Sequence, residues 1–123
     1  MKFSFSLILL SFFCLHLKAQ TTQPNLQNAK PDSTKNTLIV EASCGQCQFG
    51  MSGKGCSLAV RVDGKSYFVD GADIDSFGDA HSDDGFCEAI RTAEVQGEII
   101  NNRFKATYFK LIPATEKIVP VDK

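Results

Sequence analysis

The sequence predicts a small, β-dominated domain, a five-stranded barrel with one short helix. Three features point to it. Short runs rich in β-branched and aromatic residues recur between Leu38 and Ile112. Two of the breaks between them, Asp63-Gly64 and Asn101-Asn102, are tight-turn signals. A single stretch with helical spacing, Phe86 to Ala93, falls between the third and fourth runs.

The chain has 123 residues, and the barrel is not expected to begin at its start. Lys2 supplies a positive charge, Phe3 to Leu17 form an apolar run, and Leu17-Lys18-Ala19 offers a small-residue cleavage site. These are the parts of a secretory signal peptide over residues 1–19, and the run is shorter than the ~20 residues a membrane-spanning helix needs. Cys14 lies inside that run and is read as part of the signal. An exported, periplasmic or secreted protein is expected. Residues 20–36 are Thr, Gln, Asn, Pro, Asp, Ser and Lys with one large apolar residue, Leu26, and read as a disordered spacer.

The domain is then expected over residues 37–113. Leu38 to Ala42 is a strand by length and composition, and it runs straight into Cys44-Gly45-Gln46-Cys47. Gly50, Gly53 and Gly55 follow in a loop that closes at Cys56. Ser57 to Val62 alternates, with Leu58, Val60 and Val62 on one face, and Asp63-Gly64 turns it into a returning strand at Ser66 to Val69. An acidic loop from Asp70 to Asp84 comes next, with His81 inside it. Ser82, Asp83 or Asp84 can cap a helix of about two turns through Phe86, Ala89, Ile90 and Ala93. Val95 to Ile100 and Phe104 to Ile112 are the last strands, joined at Asn101-Asn102, and residues 114–123 read as a flexible tail. This order of three strands, a helix and two strands is that of the oligonucleotide/oligosaccharide-binding (OB) fold. A meander with a packed helix is the alternative.

Composition narrows the function classes. Without Lys2 and Lys18, 11 basic residues face 14 acidic ones, a mature charge of about −3 with histidine neutral. A nucleic-acid partner needs a basic footprint and an anionic membrane needs a Lys/Arg cluster, so neither is expected after signal cleavage. No protein partner is named by the residues. No Ser-His-Asp order, phosphate loop or His-Glu-x-x-His is present, and no catalytic residue is assigned.

The chemistry that stands out is sulfur. Cys44 and Cys47 can grip one ion through the turn between them, with Cys56, Cys87 and His81 as partners brought from elsewhere. Such a soft site suits zinc or copper. Met51, as a thioether, and Asp79, as a neighbour able to orient His81, are secondary candidates. Four thiols in an oxidising compartment can instead form disulfides, giving a stapled binding module without metal, with the acidic loop as its surface. A thiol–disulfide oxidoreductase is the third reading, because Cys-Gly-x-Cys is a dithiol pattern. The glycines after it speak against the helix that such a motif uses. A calcium loop from Asp73 to Asp84 fails at Phe77, which stands where an oxygen ligand belongs.

Val40 to Cys47, Gly53 to Cys56, Gly78-Asp79-Ala80-His81, and Asp84-Gly85-Phe86-Cys87 with Ala89-Ile90-Arg91 together resemble an uncharacterised family of small exported bacterial proteins. The likeness covers roughly residues 38 to 112. It implies a bacterial periplasmic or secreted protein and carries no activity with it.

Overall fold

A computed structural model describes residues 26–114 of the chain. Residues 1–19, where a signal peptide is expected, residues 20–25 of the expected spacer and residues 115–123 of the expected tail lie outside the described residues. Five strands form the domain: β1 Leu38–Cys44, β2 Leu58–Val62, β3 Lys65–Asp70, β4 Arg91–Ile100 and β5 Arg103–Ile112. They close into a barrel in the order β1-β2-β3-β5-β4, with β3 and β5 parallel and every other pair antiparallel. The expected barrel is present, and its strand order is compatible with the OB-like reading.

The two turns form as their residues dictate. Asp63 and Gly64 both take positive φ, 50° and 80°, and Val62 pairs with Lys65 across them. Asn101 and Asn102 do the same at 52° and 61°, closing Ile100 on Arg103. Such paired positive φ values match the twist of a two-residue hairpin. Alternation along the strands sends Val40, Ala42, Leu58, Val60, Val69, Ala93, Val95, Phe104 and Phe109 into the core. Opposite Gln96 and Gly97 the register skips Thr107, a bulge that lets β5 bend. At Gly97 a Cβ would collide with the Lys105 carbonyl and lie 2.9 Å from the Phe104 ring.

Two expectations need correction. The helix predicted through Phe86 to Ala93 does not form. Residues 80–88 make successive turns, Ile90 is exposed, and β4 has begun by Arg91. Tertiary contacts override the local spacing here. Cys87 N–H bonds to the Ala80 carbonyl at 2.8 Å, and a Cβ on Gly85 would strike the carbonyls of Asp79 and Ala80. A 3-10 turn, Ile74–Phe77, and these turns cap the barrel instead. Phe77 packs edge-on to Phe86, at 5.9 Å between centroids, and against Phe109 at 4.9 Å. Among the described residues the α-helical turn is α1, Gly45–Gln48, placed directly after β1.

The second correction concerns the spacer. From Leu26 onward it belongs to the packed domain. Leu26 is buried in the core and opens a 3-10 turn, Leu26–Asn28. Gln96, itself buried, accepts from Asp32 N–H at 2.8 Å and reaches the Asp32 carbonyl at 2.9 Å and the Thr37 hydroxyl at 2.8 Å. A polar strap of this kind needs no core of its own. One anchoring leucine and one buried amide that satisfies its backbone are enough.

Candidate metal centre

Strand direction explains why distant cysteines meet. β1 runs antiparallel to both β2 and β4. The end of β1 therefore lies beside the starts of its two neighbours, at one rim of the barrel. Cys44 is the last residue of β1, Cys47 lies in α1, Cys56 stands two residues before β2, and Cys87 four before β4. Backbone bonds draw these rim segments together. Cys44 N–H donates to the Phe86 carbonyl at 2.9 Å, and Gly45 N–H to the Ser57 carbonyl at 2.8 Å. Ser43, fully buried, places its hydroxyl 2.7 and 2.8 Å from the carbonyls of Phe86 and Ala89.

Despite the glycines that follow, a helical turn forms after Cys44, which is its N-cap. The Cys47 N–H donates to the Cys44 sulfur at 3.1 Å. One turn is short enough to end before Gly50, so the later glycines never have to be helical. Gly45 is closely packed. A Cβ there would sit 2.6 Å from the Phe68 ring, 2.9 Å from the Met51 sulfur and 3.1 Å from Ala59 Cβ.

The four sulfurs of Cys44, Cys47, Cys56 and Cys87 all lie within 4.8 Å of one another. Cys44 and Cys47 are in direct contact as a disulfide pair, with Cα atoms 5.2 Å apart. The Cys47 and Cys56 sulfurs are 3.6 Å apart. Sulfurs held about 2.3 Å from a tetrahedral zinc stand about 3.8 Å apart, close to the Cys47–Cys56 spacing, so the four lie close enough to hold one thiophilic ion once the Cys44–Cys47 pair is reduced and parted. Cys44 and Cys87 are buried, whereas Cys47 and Cys56 are exposed.

Burial pushes the Cys87 thiol up to about 11, helped by its hydrogen bond with Cys56 and by the charges of Cys56, Glu88 and Asp75. With no cation beside it, Cys87 is protonated at neutral pH. A bound dication reverses that balance by stabilising the thiolate.

Two glutamines that the sequence reading passed over hold the cage. Gln46 accepts from Ser57 N–H at 2.9 Å and donates to the Ser57 hydroxyl at 3.3 Å, while Gln48 donates to the Cys87 carbonyl at 2.9 Å. Each therefore fastens α1 to a segment carrying a remote cysteine. Their signal was available: two long amides flanking Cys47, where a short turn would aim both at its neighbours.

Not every expected residue joins. His81 is exposed and outside the sulfur group, and its link to Asp79 is through its backbone N–H, 2.9 Å from the carboxylate, not its ring. Met51 is half-buried, its sulfur packed against Gly45. Beside the cluster an open cleft of about 320 Å³ is bordered by Cys56, Asp73, Ile74 and Arg103. No described helix is long and apolar enough to cross a membrane.

No curated protein and no solved structure matches the chain. A family model does, over residues 38–112, a stretch that begins with β1, ends with β5 and includes all four clustered cysteines. By that match the chain belongs to a family of unknown function, DUF6370.

Proposed function

We propose that this protein is an exported domain that binds a thiophilic metal ion, zinc or cuprous copper, through Cys44, Cys47, Cys56 and Cys87. The observation that carries the reading is the convergence of four sulfurs from three rim segments to within 4.8 Å. Thiolates alone would repel one another at that spacing, and two of them are buried. A cation offsets both costs, and sulfur donors select soft ions. The Cys47 N–H steadies a thiolate at Cys44, and Gln46 and Gln48 hold the outer segments in place. Export is supported by the positive, apolar and small-residue pattern of residues 1–19. An exported protein would meet its ion in the periplasm or outside the cell.

The Cys44–Cys47 contact favours a second reading, a disulfide-stabilised binding module without metal. Intact mass separates the two. The protein purified from its export compartment is weighed natively, then denatured and alkylated. One extra ion with four alkylatable thiols is the expected result. A mass lower by four protons with no ion would replace the metal site by two disulfides. His81→Ala is expected to leave stoichiometry and affinity unchanged, and a weaker site in that variant would return His81 to the ligand set.

A further inference from the structure

Cys56 belongs to two structures at once. It is one of the four clustered sulfurs, and it borders the open cleft. Its thiol is exposed, whereas Cys87 beside it is buried. The cleft is of the size that takes a small organic molecule, and its walls include the Asp73 carboxylate and the Arg103 guanidinium, which already engages Asp70 through Nε and Nη2. A ligand carrying both an ammonium and a carboxylate complements such walls. The sulfurs then continue inward, from Cys56 to Cys47 at 3.6 Å and from Cys47 to Cys44 in contact.

We propose that Cys56 is where a small zwitterionic disulfide of the cystine type reacts with the ion-free protein, and that the oxidation is relayed through Cys47 to end as the Cys44–Cys47 disulfide. The Cys56 sulfur attacks one sulfur of the ligand, breaking its S–S bond and releasing the first half as a thiol. Cys47 then attacks the Cys56 sulfur of this mixed disulfide, forming Cys47–Cys56 and releasing the second half. Cys44 attacks Cys47, the Cys44–Cys47 bond forms, and Cys56 is recovered as a thiol. In sum one small disulfide is reduced to two thiols, and two protein thiols are oxidised to one disulfide. Each transfer is ordinary thiolate attack on a disulfide sulfur, whose rate depends on access to that sulfur. The relay uses the same four cysteines as the proposed ion site, but its chemistry belongs to the ion-free protein.

The test is time-resolved mapping. Reduced, ion-free protein is mixed with cystine, quenched in acid, alkylated and digested. The expected sequence is a cysteine adduct on Cys56, then Cys47–Cys56, then Cys44–Cys47. Arg103→Gln is expected to slow the cystine reaction several-fold while leaving the rate with uncharged 2-hydroxyethyl disulfide unchanged. A first adduct on Cys47, a final Cys56–Cys87 bridge, or equal slowing with both disulfides would overturn the proposal. Zinc binding is measured on the same reduced protein. Loss of zinc binding with the relay intact removes the metal reading alone, and the reverse outcome removes the relay alone.

Discussion

A methyl group at Gly45 would force Phe68 or Met51 to move, at the point where α1 meets the barrel. The Gly45 Cα faces the Phe68 ring, the Met51 sulfur and Ala59, so α1 lies flat against the barrel and brings Cys47 over the end of β1. Gly45→Ala is expected to cost about 1–3 kcal/mol by overpacking and to weaken ion binding at the same time. Urea unfolding and a metal titration on the same variant read both effects. Unchanged stability would show that Phe68 and Met51 yield freely. At this scale the sequence was a good guide to which atoms matter and a poor one to how they are held. Sulfur marks itself by its chemistry. Gln46, Gln48 and Ser43 are common polar residues whose roles exist only once Ser57, Phe86, Cys87 and Ala89 have been brought to them by the fold.

Among the elements, the N-terminal strap and the β3–β5 seam carry the sharpest consequences. The side chain of Gln96 ties the strap to β4. Gln96→Ala leaves the backbone groups of Asp32 without these partners, and about 1–3 kcal/mol of stability should go with them. Hydrogen exchange should quicken at the Asp32 amide and stay unchanged at Val60. Equal quickening at both would mean that the whole barrel, not the strap, had loosened. The β3–β5 seam shows only two register pairs, Val69–Phe104 and Asp70–Lys105, and an ion pair from Arg103 to Asp70 at 2.8 Å braces it. That hydrogen-bonded guanidinium holds the Asp70 carboxyl below its usual value of 3.8. A folded-state value below the unfolded one means that the stabilisation is complete above the unfolded value and is lost as pH falls through the folded one. Both side chains are substantially exposed, 45% and 39%, so the pair contributes under about 1 kcal/mol. Asp70→Asn should therefore be slightly less stable than the wild type at pH 7 and equal to it in strong acid. A gap that persists at low pH would assign the difference to something other than charge.

For the molecule as a whole, strands declared themselves by alternation and hairpins by Asp63-Gly64 and Asn101-Asn102, because both are local properties of the chain. The cap from Gly71 to Ile90 did not. Its Phe77 and Phe86 meet only because the barrel end must be covered, and the helical spacing of Phe86, Ala89, Ile90 and Ala93 is split between a turn and a strand. Ion binding should be felt across this entire structure, since an ion held only by the folded state stabilises it. At a hundred-fold excess over Kd the gain is about 2.7 kcal/mol, or an increase in Tm of roughly 10–20 °C for a domain of this size. Thermal melts of reduced protein with increasing zinc, then with a chelator, should show the rise and its reversal. Flat melts would rule out a site coupled to folding.

The placement of the sulfurs at one rim separates two kinds of inheritance. None of the four lies in the middle of a strand, and only Cys44, paired with Leu58 at the very end of β1, enters the ladder that sets the barrel's register. Exchanging Cys56 for histidine would harden the donor set and leave the hydrogen-bond ladder as it is. The chemistry proposed for this rim, ion binding or disulfide exchange, could thus be altered residue by residue while the barrel underneath stays the same.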